Sequence, residues 1–233
     1  MILSVHLAHR PDPEDQCRLR DALHPDVDLT LGPERPTPAR YEILVAGRPT
    51  REDLSASPTL HTLVIPWSGL PEQTRELMLD FPHIAVHNLH HNATPVAEMA
   101  ITLMLAAARR IVPADQALRV HDWTPRYRPS PALLMAGRTA LILGYGAVGR
   151  KVGRICRALD MRVLGMRRRP GGEEGVHPPN ALPRLLPQAD VLLICLPHTP
   201  ETDGLIGAQE LALLPVDAVL VNVGRGAIVD QGA

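Results

Sequence analysis

The sequence predicts an α/β fold on doubly wound, mostly parallel sheet, and three observations predict it. Short β-branched or apolar runs alternate with helical stretches along the 233 residues, as in repeated βαβ units. The four later strand candidates are nearly continuous apolar runs, as strands covered on both faces require. A glycine-rich turn joins the first of those four runs to a helix.

In chain order, the strand candidates span 2–7, 43–46, 62–65, 84–87, 139–143, 162–166, 191–196 and 218–223. Their β-branched and apolar content and the turn residues that bound them carry the assignment. Helix candidates span 12–23, 71–79, 95–110, 114–121, 148–159 and 208–213. Pro95 suits a first helical position and Thr94 can cap it. Residues 121–137, rich in Pro and Arg, read as an irregular loop, and 177–180 as a solvent-facing connection. Two domains are expected, 1–91 and 92–233.

Composition excludes several function classes. The formal charge is −1 and the aromatic content 3%. That leaves neither the basic excess nor the stacking platforms of a nucleic-acid binder. Cys17, Cys156 and Cys195 are odd in number and far apart, which argues against a disulfide framework and for a reducing, cytoplasmic setting. The apolar run at 99–108 is too short to span a bilayer, so no membrane partner is expected.

The chemistry concentrates at Gly144-Tyr145-Gly146-Ala147-Val148-Gly149. Gly144 permits a tight turn, Gly146 lets the backbone approach a diphosphate, and Gly149 lets the helix pack on the strand. The helix start offers free N–H groups to the phosphates. An NAD site would carry a carboxylate about 20 residues further on, to bind the ribose 2′-hydroxyl. Here the chain reads Met166-Arg167-Arg168-Arg169. Guanidinium groups suit a 2′-phosphate, so NADP is expected over NAD, with Arg167 and Arg168 as contacts; a solvated basic loop is the alternative reading.

Three further motifs carry a resemblance: Asn92-Ala93-Thr94-Pro95-Val96-Ala97-Glu98, Asp190 to Thr202 with Leu196-Pro197 at its centre, and Asn222-Val223-Gly224-Arg225-Gly226 running on to Asp230. In order and spacing they resemble the D-isomer-specific 2-hydroxyacid dehydrogenases over residues 83–233; the first eighty residues are similar in pattern only. The resemblance implies a flavodoxin-like substrate domain beside a Rossmann-type dinucleotide domain. The implied reaction is hydride transfer between nicotinamide C4 and C2 of a small 2-keto or 2-hydroxy acid. It implies that Arg225 binds the substrate carboxylate and polarises the carbonyl. It places Leu196, Pro197, Thr202, Val223 and Gly224 beside the cofactor, and main-chain N–H groups of Ser68 and Gly69, with Asn92, at the substrate.

The matching substrate stretch departs from the family's glycine-rich pattern at Pro66 and Trp67. Trp67 stands open between lining the pocket and packing. The family's acid/base histidine and its glutamate lie beyond the arginine signature, whereas this sequence ends three residues after Asp230. The expectation is therefore a C-terminally truncated chain that binds NADPH weakly without turnover, with an exposed sheet edge and an uncovered apolar face. A non-catalytic dinucleotide-binding protein is the alternative reading. His83, His87, His90 and His91 could be spaced for a metal but lack a supporting Cys or carboxylate, so no metal is expected. The resemblance also implies a homodimer, with the 95–110 helix at the interface.

Overall fold

The computed structural model describes residues 2–127 and 132–233. The chain divides into two compact units, Met1–Asn92 and Ala93–Ala233.

The first unit holds β1 (Leu3–Leu7), α1 (Pro13–Ala22), β2 (Val27–Leu31), β3 (Ile43–Val45), α2 (Arg51–Ser55), β4 (Thr62–Ile65), α3 (Glu72–Met78) and β5 (Ala85–Asn88). Every pairing is parallel and the order is β2-β1-β3-β4-β5, the flavodoxin-like arrangement. Strand β2 was not expected, although Val27-Asp28-Leu29-Thr30-Leu31 alternates as an edge strand should. Asp12 starts α1 by accepting the Asp15 N–H at 2.9 Å, with Pro13 first in the helix. Thr50 and Asp53 form a reciprocal capping box on α2. Leu44, Leu63 and Ile65 are fully buried in the core, each contributing about 1.5–3 kcal/mol of transfer free energy.

The second unit runs α4 (Ala93–Ala108), α5 (Ile111–Arg119), β6 (Thr139–Leu143), α6 (Ala147–Ala158), β7 (Arg162–Met166), β8 (Val176–His177), α7 (Leu182–Leu185), β9 (Val191–Ile194), α8 (Ala208–Leu213) and β10 (Val219–Asn222). Its parallel sheet is ordered β10-β9-β6-β7-β8. The chain leaves β6 for one edge, then returns to β9 on β6's other side, so the switch point lies between β6 and β9. Alternate residues face opposite cores. Ile142 and Leu193 pack with Ala100, Met104 and Val152; Leu141, Leu143, Leu192 and Ile194 pack with Leu182, Leu185 and Ile228. Both faces are thus covered, as the apolar runs predicted.

Several expectations need correction. Helix α4 starts at Ala93, so Thr94 lies inside it rather than capping it, and Pro95 is third. Proline is tolerated there because first-turn N–H groups have no intrahelical acceptor. Helix α5 begins at Ile111, after Arg110 adopts a left-handed conformation with φ 56°. Residues Thr124–Tyr127 form a 3-10 turn inside the expected loop, of which 128–131 lie outside the described residues. His177 is no free connection: it pairs through β8 with Met166. Strand β10 is an edge strand, but the apolar face expected to be bare is covered by α4, which packs on β10 as well as on α6.

Candidate functional site

Strand β6 delivers the chain into the glycine turn at the switch point. Gly144 has φ +94°, a conformation that favours glycine. Its N–H and that of Tyr145 both donate to the Met166 carbonyl, at 3.0 and 2.8 Å, which ties the turn to the end of β7. A Cβ on Gly144 would stand 2.8 Å from the Cys195 carbonyl, so a side chain has no room. A Cβ on Gly149 would collide with the Gly144 carbonyl oxygen; its bareness lets α6 approach the turn. Gly146 differs from both. It is exposed, and no heavy atom lies within 4 Å of where its Cβ would be. No side chain caps α6, so the N–H groups of Ala147, Val148 and Gly149 lack intrahelical acceptors. An open cradle over Gly146 beside an uncapped helix start suits the diphosphate of a dinucleotide.

Tyr145 does not belong with the cofactor contacts expected from sequence. Its N–H is engaged, its ring is buried, and its hydroxyl accepts from Arg157 Nη1 at 3.1 Å. The side chain is wedged where a Cβ on Gly153 would lie 2.7 Å from its hydroxyl oxygen and a Cβ on Gly165 2.8 Å from its ring. Two glycines, one inside a helix and one inside a strand, were the readable sign of that wedge.

Arg167, Arg168 and Arg169 follow β7, exposed and without an ion pair among the described residues. The Arg167 N–H donates to the His177 carbonyl at 2.9 Å. Sequence reading missed that Arg150, in the first turn of α6, pairs with Glu173 on the same loop.

The rims beyond β9 and β10 meet. A Cβ on Gly224 would stand 2.6 Å from the Leu196 carbonyl oxygen, which places the Val223–Gly224–Arg225 turn against Leu196. Asn222 shapes that turn: Oδ1 accepts the Gly224 N–H and Nδ2 donates to the Arg225 carbonyl, both at 2.9 Å. Arg225 is exposed, with Nη1 donating to the Gly224 carbonyl at 3.0 Å. Thr202 folds the neighbouring loop, accepting the Thr199 N–H and donating to the Pro197 carbonyl, both at 2.8 Å. Its hydroxyl hydrogen is engaged there rather than free for a ligand. His198 Nε2 and Asp203 Oδ1 lie 2.8 Å apart in this loop, a pairing the sequence reading did not anticipate. Burial pushes the Cys195 thiol up to about 12, so it is no nucleophile.

In the first unit, Ser68 is exposed and its carbonyl accepts Asn88 Nδ2 at 2.7 Å, with Gly69 beside it. Asn92 Oδ1 is buried without a partner among the described residues. His83, His87, His90 and His91 are exposed, and no three metal-ligating side chains cluster among the described residues.

The sequence model of the D-isomer specific 2-hydroxyacid dehydrogenase, NAD binding domain, matches residues 101–233. The chain belongs to this family. A glyoxylate reductase of Aeropyrum pernix is 42% identical over 146 residues, 59% of this chain and 43% of that protein. A glycerate dehydrogenase of Methylorubrum extorquens is 34% identical over 157 residues, 64% of this chain and 47% of that one. The matched stretch thus spans less than half the length of these curated relatives. Among solved structures, a D-isomer specific 2-hydroxyacid dehydrogenase from Xanthobacter autotrophicus, crystallised with NADPH and MES, has a TM-score of 0.78. It is 23% identical, and the match covers 99% of this chain and 74% of that one; the likeness shows the shared 2-hydroxyacid dehydrogenase fold.

Proposed function

We propose that this 2-hydroxyacid dehydrogenase family member serves NAD(P)-dependent oxidoreduction of a small 2-keto or 2-hydroxy acid. The observation that carries the reading is the open cradle over Gly146 at the uncapped start of α6, inside the family-matched stretch. Gly144, Gly146, Ala147, Val148 and Gly149 would hold the diphosphate. Leu196, Pro197, Val223 and Gly224 would line the nicotinamide side. When bound, the nicotinamide supplies or accepts a hydride at C4. In the second unit, Arg225 binds the acid's carboxylate and stabilises charge growing on the carbonyl oxygen; in the first unit, Ser68 and Gly69 offer N–H groups suited to a carboxylate, and Asn92 an amide.

NADP is preferred over NAD in this proposal, supported by three exposed arginines after β7 and no carboxylate at the end of that strand. The protein acts as a homodimer, supported by Met99 and Leu103 on α4, 55% and 44% exposed although large and apolar. A reducing compartment, the cytoplasm, fits the unpaired thiols Cys17, Cys156 and Cys195. No helix among the described residues is long and apolar enough to cross a membrane.

Calorimetry with NADPH and NADH, followed by glyoxylate in the presence of the bound coenzyme, tests the reading. Saturable heat with NADPH, weaker heat with NADH and a second binding event with the acid are expected. Absence of heat with either coenzyme on a folded sample overturns it.

A further inference from the structure

We infer that Trp67 determines substrate size at the proposed acid site, restricting it to 2-keto acids whose C2 substituent is hydrogen or a single carbon. This rests on the reading of Ser68 and Gly69 as part of that site. Gly47 and Trp67 each lie two residues past the end of a strand, and those strands, β3 and β4, are parallel neighbours. Ligands of open α/β sheets gather at this carboxyl edge. The indole occupies the space above Gly47 so fully that a Cβ added there would fall inside its rings. From the other side, Thr74 Oγ1 donates to the Gly47 carbonyl at 3.2 Å, which fixes the floor on which the indole rests.

Trp67 is not part of the unit's hydrophobic core. It is 40% exposed, and the next residue is held in place by Asn88. A tryptophan outside the core, seated on a glycine and directly preceding the proposed anion-binding N–H groups, takes the volume into which a longer acid side chain would extend. An acid with a short substituent needs none of that volume. A branched acid must displace the ring from its glycine seat.

The test is calorimetry on the whole chain with saturating NADP⁺, which cannot reduce a keto acid, titrated with pyruvate and with 4-methyl-2-oxopentanoate. The wild type should favour pyruvate, and Trp67→Ala should move the affinity ratio toward the longer acid by about tenfold or more, the scale on which a pocket senses hydrocarbon size. Trp67→Phe should fall between them; if the alanine variant does not fold, the phenylalanine variant decides. Acid binding with an unmoved ratio overturns the inference and leaves the acid site standing. NADP⁺ heat without acid heat in the wild type and every variant overturns the acid site, and the inference with it.

Discussion

His6 of β1 stacks on Tyr41, just ahead of β3, ring centroids 5.3 Å apart and planes inclined by 29°. The Thr30 hydroxyl donates to the Val5 carbonyl at 3.3 Å and meets His6 Nδ1 at 2.9 Å. Nδ1 is thus partnered by Thr30 in either tautomer, while Nε2 is buried with no hydrogen-bond partner among the described residues. Protonation would place an N–H group there with no acceptor.

Burial lowers the His6 pKa below its ordinary 6.5, against an opposing pull from the Asp53 carboxylate. The unfolded chain then takes up this proton at higher pH than the folded unit does. The associated stability is present above pH 6.5 and is lost as pH falls through 6.5 toward the lower folded value. Denaturant midpoints at pH 8 and pH 5.5 should show a smaller acid loss in His6→Gln than in the wild type. The difference is bounded by about 1.4 kcal/mol per pH unit for one proton. Equal slopes would assign the acid loss to other histidines.

Two of the turn glycines should separate stability from binding. Gly149→Ala forces a methyl group into the Gly144 carbonyl and should lower stability by about 1–3 kcal/mol. Gly146→Ala enters open space and should shift stability by less than about 0.5 kcal/mol, yet weaken NADPH about tenfold by holding the diphosphate off the backbone. Thermal melts beside coenzyme titrations resolve the two; a glycine-146 variant with undiminished affinity would move the diphosphate elsewhere.

Arg167→Ala and Arg168→Ala should each raise the NADPH dissociation constant about tenfold, the worth of one charge-assisted hydrogen bond, with little change for NADH. Equal losses for both coenzymes would mean that these arginines serve the shared diphosphate or a general field instead.

Arg225→Lys keeps the charge but loses the two-pronged geometry that matches a carboxylate. A rise of about tenfold in the dissociation constant of the acid is expected from loss of one charge-assisted hydrogen bond, with the coenzyme dissociation constant unchanged. Undiminished acid affinity by calorimetry would relocate the carboxylate grip.

The second unit was largely legible because its strands are buried on both sides. Uninterrupted apolar runs, punctuated by Gly144, Gly146 and Gly149, specify strand, turn and helix together. Strand β8 escaped because two residues beside Pro178 and Pro179 carry no periodicity, and pairing with β7 alone defines them. Helix α7 escaped because Pro183 and Pro187 lie in or just beyond it, yet Leu182, Leu185 and Leu186 are buried. Of the site, the glycine roles could be read from spacing. The inward turn of Tyr145 and the Arg150–Glu173 and His198–Asp203 pairs could not, since each is created by tertiary packing of segments whose local sequence permits other arrangements.

The wedge of Tyr145 has an evolutionary corollary. Three positions on a turn, a helix and a strand share one volume, so the residues at 145, 153 and 165 must change in concert. Gly153→Ala or Gly165→Ala alone overfills the space, and Tyr145→Ala alone leaves a hole, whereas an alanine at 153 together with a smaller ring or aliphatic at 145 restores fit. Contacts of this kind are strongly non-additive, so each single step away from the arrangement should cost stability that the paired change recovers.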